Sequence, residues 1–453
     1  MIKILATIGP ETNNIDSITF ISKYSKLLRL NGSHADHKWH SDTVRKIREV
    51  RSDAIILLDI PGIKPRTNNK SNLEIEKGQE VDFYYGKEIL EGGIPLTRQL
   101  PLCKKIPSTF SLNDGQHFFK TVSLTENLVK GISLSSFSLK TKKGLNIPGG
   151  EYDDNVQRDY ILNFLNDFDN LEVDAYGVSF VQNASIIKEL KSAYPEKIII
   201  SKIESSQGLL NIEEICDESD VIMIDRGDLA AEIGVENLYK GVTKISACCK
   251  RHGKSLIIAT ENLSTMISIS QPTKSDVISL GHSINVGADC IMLSEETAIS
   301  SEYRNIIIWL YNFLKNSMPY MPTLSKGSVW KDKGDLMWSI IDNLQKDMPF
   351  IVSSRTGKAM QKVLSCGFED VHLITDSEKT SKLGFFYRQE IIITIDLEFK
   401  LKVPSKLIYD YVKSNIELIF AKNSIALSTF VSEPFKGALA DNITFIDKKR
   451  LNL

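Results

Sequence analysis

The sequence predicts an α/β protein: a (β/α)8 TIM barrel with a small β domain inserted into it and an open-sheet α/β domain after it. Three observations carry this. Short apolar runs alternate with helix-like stretches over residues 1–67 and again over 149–325. The stretch between them alternates apolar and polar residues and is broken by Gly and Asp-Gly. Residues 1–67 and 149–325 together number 244, close to the roughly 250 typical of such a barrel.

Taken in order, Lys3–Ile8, Leu27–Leu30 and Ala54–Leu58 are buried-strand candidates, with helical spacing at Asp16–Lys26 and Ser41–Val50 between them. Short apolar strands separated by helices imply a parallel sheet with crossover helices. In 68–148 the character changes. Glu80–Tyr85 and Gln116–Ser123 alternate, and Gly92-Gly93, Asn113-Asp114-Gly115 and Lys143-Gly144 punctuate them. Asp-Gly between such runs signals a hairpin. From 149 the βα rhythm resumes, with strands expected at Ala175–Val181, Lys197–Ile203, Val221–Ile224, Lys254–Thr260 and Asp289–Leu293. Three early strands and these five make the eight. Residues 326–453 form the last unit, with a helix near Asp335–Gln345 and strands at Pro349–Ser353, Val371–Ile374 and Ile391–Ile395.

Composition excludes several classes. With 42% hydrophobic and 25% charged residues the chain is ordinary for a globular protein. A net charge of −2 argues against a nucleic-acid or polybasic membrane binder. No apolar run approaches the ~18 residues of a membrane span, and the N-terminal MIKILATIGP reads as a first strand rather than a signal peptide. Six cysteines without CxxC spacing point to a reducing cytoplasm.

Active sites of such barrels lie in the loops after the strand C-termini. Here those ends are rich in ionisable residues. The second strand ends in Arg29-Leu30-Asn31-Gly32-Ser33-His34, and strand periodicity places Arg29, Asn31 and Ser33 on one face. The third ends in Asp59 and continues to Lys64 and Arg66, while Lys202 and Glu204 share a face of the fifth. Asp225-Arg226-Gly227-Asp228, Thr260-Glu261 and Ser294-Glu295-Glu296-Thr297 follow. Any one of these, taken alone, is ordinarily a solvated charge, and Asp228 alone is ordinarily a first-turn acid of a helix. Together, cations facing two carboxylates in one mouth suit a divalent metal bridging an anionic substrate. A helix N-terminus offers N–H groups to the anion, and the set suits phosphoryl transfer, where catalysis is mostly positioning and charge stabilisation. No P-loop, protein-kinase set, GxSxG or HExxH is present.

With these residues in view, the chain resembles the pyruvate kinases. The resemblance rests on Ala6-Thr7-Ile8-Gly9-Pro10, Arg29–His34, Ile200-Ser201-Lys202-Ile203-Glu204, Arg226-Gly227-Asp228-Leu229 and Gly287–Ala298, in the family's order over nearly the whole chain. It implies that Glu204 and Asp228 bind Mg²⁺ or Mn²⁺, and that Lys202, helped by Arg29, meets the transferring phosphoryl group and steadies an enolate. It implies that amides at Gly227-Asp228 hold the substrate carboxylate beside Thr260. Thr260 and Ser294 then lie near the proton's route to the enolate carbon. Pro10, His34, Arg66, Lys143 and Trp39 match nucleotide-contacting positions, and the inserted β-barrel domain would be a water-excluding lid. Asn31, Ser33 and Asp59 match a potassium site. Lys64 stands where potassium-requiring members carry a glutamate, so no potassium requirement is expected. The substrates implied are phosphoenolpyruvate and ADP, in a cytoplasmic homotetramer. Ser353–Lys358, after a strand, matches a sugar-phosphate effector loop in some members and also reads as a plain strand-to-helix turn.

Several positions depart from the family pattern: Asp225, Glu261 and Glu295 are added acids, Ala230 replaces a glycine, Asn113 replaces an acid, and the Asp59–Arg66 loop has shuffled prolines. At an effective dielectric of about 20, an added charge ~8 Å from the substrate costs roughly 2 kcal/mol. Three readings therefore stand: the family reaction, the same metal–enolate site used on another acceptor or substrate, and a retired enzyme acting as a regulatory protein.

Overall fold

The structure, a computed structural model, describes residues 1–86, 90–168, 170–317, 344–396, 404–430 and 442–451. Eight parallel strands close into a barrel: β1 Lys3–Ile8, β2 Leu27–Asn31, β3 Ile55–Ile60, β4 Ala175–Val178, β5 Ile198–Ile203, β6 Val221–Asp225, β7 Ser255–Ala259 and β8 Cys290–Leu293. They pair in sequence order, and β8 returns to β1 with Lys3 opposite Cys290.

Each strand is buried on both faces, and period-2 alternation decides what each face does. Ile199 and Ile203 of β5 point outward into the core shared with the helices. Ile198 and Ile200 point inward, with Leu27, Ile55, Leu57, Val221 and Met223. Carrying the inward parity to each strand's C-terminal end puts Arg29, Asp59, Lys202 and Asp225 in the mouth. Inside the barrel, apolar residues fill the floor and charged ones the rim.

Between β3 and β4 the chain forms a six-stranded sheet, in which Thr109–Leu112 and His117–Leu124 make the hairpin expected at Asp114-Gly115. Its core is aromatic: Phe110 stacks on Phe119 at 5.1 Å, and Phe83 meets both edge-on. After the barrel, Ile391–Ile395, Val371–Thr375, Phe350–Ser353, Ile425–Phe430 and Asn442–Asp447 form a five-stranded open sheet in that order. Ser353–Lys358 turns from its strand into the helix Lys358–Ser365, with Ser354 Oγ accepting from the Gly357 N–H and Arg355 paired with Asp376. Most of the helix expected near Asp335–Gln345 lies outside the described residues. Among the described residues no helix is long and apolar enough to cross a membrane.

Several boundaries differ from expectation, and three of the differences have a clear local reason. The first helix is Ile15–Ser22, capped by Asn14 through the Ser17 N–H. The second begins at His37 because Asp36 accepts from the Trp39 N–H. Strand β4 ends at Val178 rather than Val181, since Phe180 adopts φ +53° and its N–H turns to Glu204.

The open-sheet domain docks under the barrel at a glycine. Gly253 ends the long helix Val235–His252 with φ +63°, and a Cβ there would lie 1.9 Å from the Gln361 carbonyl oxygen. Strain at positive φ and a backbone clash add, so Gly253→Ala should lower stability by at least about 2 kcal/mol. Urea denaturation would show a lower midpoint; an unchanged midpoint would refute the docking argument.

Candidate functional site

The rim is organised around a buried ammonium. Lys202 Nζ lies 2.8 Å from Glu204 Oε1, 3.3 Å from Asp59 Oδ1 and 3.8 Å from Asp225 Oδ2, and it donates to Ser179 Oγ at 3.1 Å. Asp59 is shared, since its other oxygen takes two hydrogen bonds from Arg29, at 2.8 Å from Nε and 2.7 Å from NH2. Gly177 leaves room for this pair: a Cβ there would sit 3.3 Å from Asp59 Oδ1.

Burial penalises every one of these charges, and their neighbours decide which survive. Burial pushes Asp59 up, but Lys202 and Arg29 overcome it and hold the carboxyl below its ordinary range. Lys202 is likewise opposed by burial and raised on balance by Asp59, Glu204 and Asp225. Glu204 goes the other way. Burial, reinforced by Asp225 and Asp228 and only partly offset by Lys202, raises it to about 8. Asp225 is raised too, first by burial, with Lys202 opposing and Asp228 adding to the rise.

A second cation stands across the mouth. Lys64 Nζ is 2.5 Å from Asp228 Oδ1 and 2.7 Å from Asp114 Oδ1 on the inserted hairpin. Burial opposes its charge, but Asp228 and Asp114 keep it protonated, and Lys64 in turn depresses Asp228 against the effect of burial.

Glu204, Asp225 and Asp228 each offer an oxygen, all within 4.8 Å of one another. In the buried mouth Arg29, Lys64 and Lys202 face Asp59, Glu204, Asp225 and Asp228, with Arg226 beside Asp225 and Glu232 beside Lys64 and Asp228. The clustered oxygens of Glu204, Asp225 and Asp228 are donors of the kind a divalent cation such as Mg²⁺ takes.

The loop after β7 completes the rim. Thr260 and Glu261 both have positive φ, at 60° and 52°. A β-branched residue in that region is strained, and the Arg226 guanidinium holds it there by donating to the carbonyls of both residues. Thr260 Oγ1 donates to Asp225 Oδ1 and accepts the Gly227 N–H, each at 3.1 Å. It thereby ties the start of helix Arg226–Ile233 to the acidic cluster.

The structure thus brings together Arg29, Asp59, Lys64, Lys202, Glu204, Gly227, Asp228 and Thr260. Ser294, after β8, has a buried hydroxyl without a hydrogen-bond partner among the described residues. Its N–H meets Glu296. The Asn31 side chain caps the Ser33 N–H, while the contacts of Lys64 run to Asp228 and Asp114. The expected nucleotide set is more dispersed. Pro10 and His34 are exposed, Arg66 is exposed and donates to the Lys142 carbonyl, and Lys143 lines a cleft in the insert with Asn113 and His117. Trp39 is half-buried and packs against the helix-side core. Of the added acids, Asp225 turns into the mouth, whereas Glu261 and Glu295 are exposed to solvent.

Sequence reading missed Ser179, Phe180, Asp114 and the anchoring role of Arg226. Ser179 and Phe180 were hidden by the overlong β4, and their signal exists only in three dimensions. Arg226 carried the signal of following an acid at a strand end.

The family described as "Pyruvate kinase, barrel domain" matches residues 1–305. A pyruvate kinase of Encephalitozoon cuniculi is 31% identical over 308 residues, covering 66% of this chain and 71% of that protein. One of Thermoplasma acidophilum is 30% identical over 302 residues, covering 66% of this chain and 54% of its own length. A crystal structure of a pyruvate kinase from Cryptosporidium parvum superposes with a TM-score of 0.79 over 98% of this chain and 96% of that one, at 23% identity.

The raised Glu204 carboxyl sets a direction for metal binding. Below pH ~8 it holds a proton that an incoming cation must displace, so Mn²⁺ affinity of the free protein should climb up to about tenfold per pH unit between roughly pH 6 and 8, then level off. Calorimetric titration at several pH values checks this. Affinity flat across that window would show Glu204 ionised already.

Proposed function

Because this chain belongs to the pyruvate kinase family, we propose that it moves the phosphoryl group of phosphoenolpyruvate to ADP, giving pyruvate and ATP through an enolpyruvate intermediate. The observation that carries the proposal is the Lys202 ammonium, buried at the mouth between Asp59, Glu204 and Asp225 and facing Asp228.

The substrate brings up to three negative charges and the nucleotide about as many, so the site must suppress their repulsion before reaction. The clustered oxygens of Glu204, Asp225 and Asp228 fit a divalent cation, and Glu204 with Asp228 would hold Mg²⁺ or Mn²⁺. Bound there, the cation supplies Lewis-acid stabilisation of the developing enolate oxygen and of the phosphoryl charge.

In this reading the chain's own residues do the rest. Lys202 presents its ammonium to the transferring phosphoryl group, and Asp59 fixes both Lys202 and Arg29 in place. The N–H groups of Gly227 and Asp228, at a helix N-terminus, take the substrate carboxylate. Thr260 shapes that turn through its bond to Gly227. The unpartnered Ser294 hydroxyl is free to join Thr260 in guiding a proton to the enolate carbon. Pro10, His34, Trp39, Arg66 and Lys143 serve the nucleotide. The insert at 68–148 closes over the barrel of 1–67 and 149–325 as a lid, and 326–453 forms the third domain. Cytoplasmic location and a homotetramer belong to the same proposal.

Asn31, Ser33 and Asp59 form the monovalent-cation position, and both Asp59 oxygens are already engaged by Arg29 and Lys202. With the Lys64 ammonium also in the mouth, no potassium need is expected.

Asp225 supports a second reading. It is an added carboxylate 3.8 Å from Lys202 Nζ, so the same site would act on another acceptor or on a less charged substrate. The four residues Lys202, Glu204, Asp228 and Thr260, retained together, weigh against a retired enzyme.

Coupling pyruvate formation to lactate dehydrogenase separates these readings. Phosphoenolpyruvate, Mg²⁺ and a panel of nucleoside diphosphates should yield ADP-dependent turnover, equal in K⁺ and in a bulky organic cation. Lys202→Met should lower kcat/KM by at least about a thousandfold. Pyruvate made only without ADP selects the second reading, and no turnover with any diphosphate sinks the first.

A further inference from the structure

Remote from the rim, helices Ile212–Glu218 and Val235–His252 pack side by side on the outer layer of the barrel. Glu213 and Cys216 stand three residues apart on the first, and Cys248 and His252 four apart on the second. Those spacings put each pair on one helical face. Where the faces meet, a Glu213 oxygen, Cys248 Sγ and a ring nitrogen of His252 all lie within 4.8 Å of one another. His252 Nε2 is 3.0 Å from Glu213 Oε2, and its ring also bonds the Cys248 thiol. Cys216, fully buried, is in hydrogen-bond contact with the same thiol.

An imidazole–carboxylate pair alone would be an ordinary surface ion pair. Adding two thiols turns the group into the donor set of a borderline-soft cation: thiolate, imidazole and carboxylate. Tetrahedral coordination with bonds of ~2.0–2.3 Å needs donors roughly 3.4–3.8 Å apart. Glu213, Cys248 and His252, within 4.8 Å of one another, are near that spacing. Entry is open, since Glu213 is exposed and the His252 side chain is 25% exposed. Asp217, 3.8 Å from His252 Nδ1, is placed to orient the ring from behind. Arg251 also donates to Glu213 and would yield one carboxylate oxygen to the ion.

We propose that Glu213, Cys248 and His252, with Cys216 as fourth donor, form a binding site for a thiophilic divalent cation of the zinc class. The site lies at the end of the helix that Gly253 terminates, beside Lys254, which bonds Gln361 of the open-sheet domain. A bound ion there would clamp the two barrel helices where that domain docks.

The test uses the full chain, reduced and stripped with a chelator, then titrated with Co²⁺ followed by Zn²⁺. A thiolate-to-cobalt charge-transfer band should saturate at one ion per chain and be bleached by Zn²⁺. The acidic rim, having only oxygen donors, takes up Co²⁺ without that band, so Glu204→Gln should leave it unchanged. Cys248→Ser and His252→Ala should each weaken Zn²⁺ binding at least about tenfold. The partly exposed His252 makes the second variant safe for the fold, and circular dichroism checks that both variants are folded. No band at saturating Co²⁺, or a full band in both variants, overturns the site.

Discussion

A single ammonium shared among Asp59, Glu204 and Asp225 organises everything above the barrel floor. Lys202 is 5% exposed, so its charge persists only because several carboxylates surround it. Removing one partner of such a buried set leaves the others unpaired, a loss of ~3–5 kcal/mol where a pair is fully buried. The arrangement is therefore held less by any one bond than by mutual charge balance. Asp59 is its hinge, linking Lys202 to Arg29 and so β5 to β2 through β3.

The balance is deliberately incomplete. Burial outweighs the compensation from Lys202 at Glu204, whose other oxygen accepts the Phe180 N–H. A mouth neutral in itself would offer a divalent cation nothing to neutralise. One with all four acids ionised and no lysines would be costly to fold. Partial compensation answers both demands, so that folding and any cation binding would draw on the same residues.

Much of this could be read from the chain, and the physics says why. Barrel strands are short apolar runs whose inward parity is visible as Leu27-x-Arg29, Ile55-x-Leu57-x-Asp59 and Val221-x-Met223-x-Asp225. Strand periodicity therefore names rim residues directly. Glu204 lies one step past its strand on the same parity as Lys202 and was equally legible. What parity does not reach is the turn geometry beyond the strand ends. Ser179 enters the site because Phe180 takes positive φ, and Thr260 because Arg226 holds two consecutive carbonyls. Nor does local pattern say where a flexible chain ends. The sequence put the Lys64 ammonium near the monovalent-cation position but did not show that it spans to Asp228 and Asp114.

That placement of Lys64 ties the insert to the chemistry. Asp114 lies on the Asp-Gly hairpin and is 59% exposed on its side chain, whereas Lys64 is buried and Asp228 is 20% exposed. Solvent competes for the Asp114 end far more than for the Asp228 end. An opening insert would thus release Asp114 first and leave Lys64 on Asp228. A cation bound at Asp228 would compete with Lys64 for that carboxylate and turn its ammonium back toward the hairpin. The Lys64 methylene stem that joins these two carboxylates is packed against Gly144, where a Cβ would lie 2.6 Å from Lys64 Cε. Glycine at 144 is what lets that stem pass.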